Sequence, residues 1–412
     1  MTGAHAADPH GAVLVVNAGS SSLKFGLYQA VAGREQALWM GQFDGLQPGG
    51  LPMLRQAGQP ARPLAVEAGV SCADAALTQL LALLVGRGVR PLAVAHRIVH
   101  GGTFCTEPCL LNDDNLAQLE QLAPLVPLHQ PFNLRGVHAL RALLPDVPQI
   151  GCFDTAFHAG LPTTEHRLPL PQALADLGLR RYGFHGLSYQ HLVTTLEQQT
   201  GGTQGRWLLA HLGSGASLCA MVDGRVLATT MGMSALDGLM MGTRCGALDP
   251  GVVLHLWRNG WSLPAVEDLL WRGSGLLGVS GESADLRRLR DSGSEAANQA
   301  IALFSHRLLR EAGALIACVG GLDLIAFTGG IGENDAALRA DLAQRLAFTG
   351  LVLNPNANKA PLADPKARAA PIHTANSAVQ AWVVRCDEGS VAASAARALM
   401  VKHVLADIAV PD

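Results

Sequence analysis

Two arginines stand beside small residues in this chain, Arg97 in HRIVHGG and Arg244 in GTRCG. A planar guanidinium grips two oxygens of a phosphate or carboxylate at once and keeps its charge at physiological pH, so each is a candidate for an anionic cleft. Two carboxylates follow apolar runs that read as strands: Asp154 after 148–153 and Glu388 after 381–384. Carboxylates at such strand ends can hold a hydrated magnesium ion. His129 in PLHQP and His185 in RRYGFHGLS could each donate a hydrogen bond to charge developing on a phosphoryl group. His96, His100, His158 and His211 also lie near strand ends, without the spacing that a zinc site requires.

Three turns of small residues, 18–22, 213–217 and 329–332, each follow an apolar run. Backbone N–H groups in such turns cradle phosphate oxygens with no side chain in the way. None reads GxxxxGK[ST], which removes the P-loop explanation.

The elements that must position these residues come in two similar sets. VLVV, NAGSSS and LKFGLY near the start are echoed by LLAHL, GSGAS and LCAMV after Trp207. Both read as an apolar strand, a small-residue turn and a second strand. In the first half, strands are expected at 13–16, 23–28, 36–43, 92–99 and 148–153. Helices are expected at 73–87, 112–125 and 132–144, and a Pro/Gly-rich surface excursion at 47–63. Text at 160–181 has no sustained period, and 198–206 reads as a loop. In the second half, Asp223-Gly224 is a hairpin turn because both residues tolerate positive φ. A long helix at 296–319 leads to a strand at 324–327, and a strand at 381–384 precedes an alanine-rich helix at 390–403. That last helix could pack back on the first half.

At 412 residues the chain is too long for one ordinary core, which makes two domains the expectation. With 49% hydrophobic and 15% charged residues it is globular, and a net charge of −3 gives no reason to expect nucleic-acid binding. The eight cysteines include no CxxC pair and read as reduced thiols. The first residues carry no secretory core, and no apolar run approaches the length of a bilayer span, so a cytoplasmic protein without a membrane segment is expected.

In order, NAGSSSLKF, HRIVHGG, PLHQP, FDTAFH, RRYGFHG, GLMMGTR and FTGGIGEN resemble the acetate kinases, within the acetate and propionate (short-chain acyl) kinase family. The resemblance runs from about Val13 to Met400. It implies an α/β fold of two duplicated ribonuclease-H-like domains of the actin-like ATPase superfamily, with an active-site cleft between the domains. The first domain would comprise 1–150 plus about 385–412; the second, 151–384, would bind nucleotide and dimerise. It implies reversible transfer of phosphate between ATP and a short carboxylate, with magnesium or else manganese, by a homodimer.

Position by position, the resemblance makes Arg97, Asp154, His185 and Arg244 the catalytic set, supported by His129. Asn17, Asp154 and Glu388 would hold the metal. Arg97, Val99, Leu128, Phe184 and Ala235 would meet the acyl substrate. Asn17, Lys24, His211, Gly213, Ser214, Gly215, Gly330, Gly332 and Asn334 would meet the nucleotide. Several residues depart from the family pattern. Ser214 replaces an asparagine, Leu187 and Tyr189 replace two polar residues, and Cys245 and Ala247 replace a serine and an aspartate. Ala235 stands for a pocket proline, and Gly389 for a second acid. Acetate and propionate both stand as substrates, since one methylene is worth only about 1–3 kcal/mol of discrimination. A catalytically weak, nucleotide-binding regulatory homodimer is the alternative of another class. Replacing Arg97 or Arg244 by alanine is expected to cut phosphoryl transfer while sparing the fold.

Overall fold

The computed structural model describes residues 11–408 except 48, 57, 58, 68, 69 and 365, and for 403–408 the backbone alone. The chain's first ten residues, read above as carrying no secretory core, lie outside the described residues. Contacts divide the chain into two compact units, 1–156 with 387–412, and 157–386.

The first unit begins with a meander of β1 (Val13–Ala18), β2 (Ser22–Val31), β3 (Arg34–Asp44), β4 (Met53–Gln56) and β5 (Arg62–Pro63). Then come α1 (Cys72–Val85), β6 (Ala93–Ile98), β7 (Cys109–Leu110), α2 (Asp113–Glu120), α3 (Gln130–Leu143) and β8 (Gln149–Phe153). Among the described residues the sheet order is 5-4-3-2-1-6-8-7. Strands β1 to β5 pair antiparallel, while β1, β6 and β8 are parallel neighbours. Val13 to Val16 are buried on both faces of β1, as a central strand covered on both sides requires. Leu14, Val16, Phe25, Phe43, Leu80 and Leu84 share one core, and Ile98, Leu116, Leu134 and Phe153 another. The expected surface excursion at 47–63 instead supplies β4 and β5. Buried Leu54 gives β4 an inward anchor on the β3 edge, and residues 48, 57 and 58 lie outside the described residues.

The second unit starts with α4 (Thr163–His166), α5 (Gln172–Asp176) and α6 (Gly186–Thr200), followed by β9 (Arg206–Leu212), β10 (Ala216–Val222) and β11 (Arg225–Thr229). A helical stretch follows: α7 (Pro250–Arg258), α8 (Leu263–Arg272), α9 (Gly275–Ser280), α10 (Leu286–Ser292) and α11 (Glu295–Cys318). The chain then returns to the sheet with β12 (Leu324–Thr328), α12 (Gly329–Asn334), α13 (Ala336–Arg345), α14 (Pro355–Lys359), β13 (Ala369–Pro371) and β14 (Gln380–Val384). The order 11-10-9-12-14-13 repeats the first sheet's plan, an antiparallel meander joined through its first strand to two parallel strands. The β10–β11 turn holds Asp223 at φ 46° and Gly224 at φ 80°, the positive values its residues were selected for. Helix α6 runs into the expected 198–206 loop as far as Thr200, and buries Tyr189, Leu192 and Leu196 against β9 and β12.

The last helix, α15 (Glu388–Ile408), packs on β1, β2, β3, β6 and β8 of the first unit. Its Arg397 donates to buried Glu35 on β3 through Nε at 2.6 Å and to the Gly11 carbonyl through Nη1 at 2.7 Å. A charged pair at this depth fixes which turn of α15 meets the sheet.

Candidate active site

The residues singled out above fall into two groups, one in each unit. In the first unit, Arg97 is the penultimate residue of β6, and β1 runs beside it in parallel with Val16 opposite His96. That register carries Asn17, the next residue of β1, alongside Arg97. Strand β8 flanks the other side, pairing Phe153 with Ile98, so Asp154 emerges one residue past the strand end. Arg97 donates Nη2 to Asp154 Oδ2 at 2.8 Å, with Nε 3.2 Å from both Asp154 oxygens. Its Nη1 meets Glu388 Oε2 at 2.7 Å. Asp154 is 1% exposed, and an ionised carboxylate at that burial needs such a partner.

Helix α3 holds this strand end in place. Asn133 donates from Nδ2 to the Ala18 carbonyl at 2.6 Å and accepts the Val99 N–H at 3.0 Å. One side chain thereby ties the NAGSSS turn to HRIVHGG. Gln130 accepts the His100 N–H and donates back to the His100 carbonyl. Val99 is buried, while Leu128 and His129 are half-buried just before α3, with His129 at its N-cap. Lys24 is exposed on β2 directly opposite Asn17.

In the second unit, β9 and β12 are parallel neighbours with Thr328 opposite His211, so the turns that follow them open at the same end of the sheet. A β-carbon at Gly213 would lie 3.9 Å from the Gly330 nitrogen, which brings two of the three small-residue turns together. Gly329 has φ 80°, and a β-carbon there would come within 2.7 Å of the Leu212 carbonyl, so only glycine fits. Gly215 is enclosed by two nitrogen-bearing side chains: a β-carbon on it would be 2.7 Å from Arg244 Nη2 and 3.1 Å from His185 Nε2. His185 takes φ 57° at the N-cap of α6, its ring stacked on His211 at 4.1 Å. The left-handed backbone costs a non-glycine residue on the order of 1 kcal/mol and aims the imidazole toward the turn.

Arg244 donates Nη1 to the Ala235 carbonyl at 2.6 Å. Among the described residues no carboxylate pairs with it, and burial pushes its guanidinium down to about 10. It remains a cation at neutral pH. Gly332 is buried and its carbonyl accepts from the fully buried Arg339, which also bonds Asn358. Asn334 is exposed and donates to the Gly330 carbonyl at 2.9 Å. Phe184 and Ala235 are buried, and Ser214 is exposed.

The substituted positions have physical counterparts. Tyr189 is fully buried and reaches Ser217. Leu187 is buried on the same helix. Cys245 donates to the Gly246 carbonyl at 3.2 Å, burial raising its thiol pKa, and the Ala247 carbonyl accepts from Arg307. At Gly389 a β-carbon would overlap the Tyr28 hydroxyl, which donates to Asp387 Oδ1 at 3.0 Å. The tyrosine fills the space a second acidic side chain would take.

Sequence reasoning missed Asn133, Gln130, Ser217 and Glu333. Glu333 accepts the N–H groups of Gly329 and Cys386, and burial raises its carboxyl pKa. A signal existed for the first two: polar residues three apart on the buried stripe of α3.

A family model described as the Acetokinase family matches residues 12–394. An acetate kinase of Rhodopseudomonas palustris is 44% identical over 390 residues, spanning 91% of this chain and 95% of that relative. The crystal structure of Porphyromonas gingivalis acetate kinase superposes with a TM-score of 0.83 at 33% identity, covering 95% of this chain and 100% of that one. A propionate kinase from Francisella tularensis gives 0.84 at 30% identity, over 93% and 98%. The match spans both units and every motif discussed above. The chain belongs to the acetokinase family.

Proposed function

We propose that this chain catalyses reversible transfer of the γ-phosphoryl group of ATP to acetate, giving acetyl phosphate and ADP. The observation that carries this reading is the second unit's arrangement, two converging glycine turns flanked by His185 and by Arg244, which no carboxylate meets among the described residues. Backbone N–H groups suit the nucleotide phosphates, and the guanidinium suits the oxygens of the phosphoryl group in flight. A carboxylate acceptor is ionised at neutral pH, so one of its oxygens attacks phosphorus while the bond to the ADP oxygen breaks. No strong base is required to begin. The protein's task is to hold like-charged reactants in line and to stabilise the transferring group.

The first unit's group fits a divalent metal by its donor chemistry. Asp154 and Glu388 converge on one guanidinium, giving two carboxylates and one cation, and Asn17 stands alongside. These are hard oxygen donors, the set magnesium or manganese accepts, with the remaining positions left to water and phosphate oxygens. Such an ion supplies charge neutralisation at the phosphates. Arg97 would orient the two carboxylates and meet the acyl substrate.

Propionate is the second reading, favoured by the small Ala235 side chain where the family carries a proline. A homodimer accords with α7 and α8, where Val252, Leu254, Trp257, Trp261 and Leu263 are each at least 40% exposed. The deciding experiment is magnesium-dependent acyl phosphate formation by purified protein and ATP, with acetate, propionate and butyrate compared over a concentration series. Acetyl phosphate formed with the highest kcat/KM upholds the reading. Folded, ATP-binding protein that forms no acyl phosphate overturns it in favour of a regulatory nucleotide binder.

A further inference from the structure

We propose that Tyr189 is a positioning residue that acts through Ser217 to set the tautomer of His185, placing the ring proton on Nε2. The inference rests on the phosphoryl-transfer role given to His185. The Tyr189 hydroxyl lies 2.5 Å from Ser217 Oγ, and Ser217 Oγ lies 2.8 Å from His185 Nδ1. Tyr189 and Ser217 are both 0% exposed, out of reach of bulk solvent. The Tyr189 oxygen also accepts the His211 backbone N–H, which leaves its own proton to be donated to Ser217.

Proton bookkeeping then selects one arrangement. The two hydroxyl protons have three possible acceptors: the tyrosine oxygen, the serine oxygen and His185 Nδ1. If Tyr189 donates to Ser217 and Ser217 donates to Nδ1, every buried proton is bonded. If instead Nδ1 carried a proton and donated to Ser217, either the serine or the tyrosine proton would be left buried without an acceptor. Native structures avoid that outcome. Burial raises the phenol pKa well above its usual value, so Tyr189 remains a donor under assay conditions. Phe157 stacks on the phenol ring at 5.8 Å and His158 meets it edge-on at 5.7 Å, fixing its position.

With Nδ1 an acceptor, the neutral ring carries its proton on Nε2, beside Gly215 and Arg244 Nη2. Both groups then present donors to the same small volume. The other tautomer would present a lone pair, which repels an anionic oxygen. A neutral ring also avoids placing a second cation next to Arg244, and it stacks on His211, whose Nδ1 is tied to Ser188 Oγ at 2.8 Å.

The test pairs kinetics with a tautomer readout. Ring 15N shifts of histidine-labelled protein, with the His185 signals assigned by a His185→Gln variant, report which nitrogen bears the proton. The parent protein at neutral pH is expected to show Nδ1 unprotonated and Nε2 protonated. In Tyr189→Phe the His185 signals should move toward a tautomer mixture, and kcat should fall about tenfold with KM for ATP and acetate little changed. Ser217→Ala should cause a similar fall, and adding Tyr189→Phe to it should cost nothing further. A protonated Nδ1 in the parent overturns the proposal even if Tyr189→Phe fails to fold. So do additive losses in the double variant, or unchanged His185 shifts in Tyr189→Phe. The nitrogen shifts need no turnover, so they separate failure of the relay from failure of the kinase reading.

Discussion

Arg97 and Arg244 occupy similar glycine-rich text in the two units, yet the fold treats them in opposite ways. Arg97 is paired: Asp154 takes Nε and Nη2, and Glu388 takes Nη1, so one cation meets two carboxylates. Arg244 gives one bond to a carbonyl and keeps its full charge, with burial pushing it down to about 10. The first arrangement is prepared for a cation. The second is prepared for an anion, because a half-buried charge that no carboxylate meets among the described residues costs stability that an arriving phosphoryl group offsets. The same residue type therefore predicts different consequences when removed.

The largest effect should come from Arg244. Arg244→Ala is expected to lower kcat/KM by on the order of a thousandfold while leaving the urea midpoint unchanged or higher, since it removes a charge that no carboxylate meets among the described residues. Steady-state kinetics and urea denaturation of one preparation check both halves. A large loss of stability would mean that Arg244 has a structural partner, and the contrast with Arg97 would break. Arg97→Ala should behave differently and correct the expectation that this change spares the fold. It strands Asp154, and should cost about 3–5 kcal/mol of stability in addition to activity. Asp154→Asn in the same chain should return part of that stability without returning activity. If Arg97→Ala alone melts like the parent, Arg97 does not neutralise Asp154 as the pairing requires.

Much of the fold was legible because its signals are local. Two apolar-turn-apolar texts mark the two hairpins, Asp223-Gly224 marks a turn, and the long apolar period marks α11. Strands β4 and β7 were not legible: a four-residue and a two-residue strand carry no periodicity and exist because an edge was available. The chemical types at the candidate positions could be read, but the charge state of each arginine could not. Asp154 lies 57 residues from Arg97, and Glu388 comes from the start of α15. The Tyr189–Ser217–His185 chain was hidden for the same reason, since Leu187 and Tyr189 read as losses until β10 is placed beneath α6.

Gly389 tests the carboxylate side of the comparison more gently. Gly389→Asp adds the second acid the family pattern carries, but the Tyr28 ring already fills that space. We expect a loss of about 1–3 kcal/mol from the forced shift. With Tyr28→Ala the two changes should be less costly together than their sum, because the cavity and the added side chain compensate. Additive losses in thermal or urea unfolding would show that the tyrosine does not substitute for the missing acid.

The smallest effect belongs to the anion side, at Ser214. Its side chain is exposed, and what the fold uses is its backbone carbonyl, which accepts the Gly242 N–H at 3.2 Å. Asparagine preserves that carbonyl and extends a donor further from a turn that already faces Gly330, so Ser214→Asn should leave the melting temperature unchanged. One added, partly solvated hydrogen bond to a nucleotide phosphate is worth about 0.5–1.5 kcal/mol, which corresponds to a KM for ATP roughly two- to tenfold lower at constant kcat. A change in kcat instead would place this turn against the transferring group rather than the resting nucleotide. An unchanged KM for ATP would leave Arg244 to account for the second unit's grip on phosphate without help from this side chain.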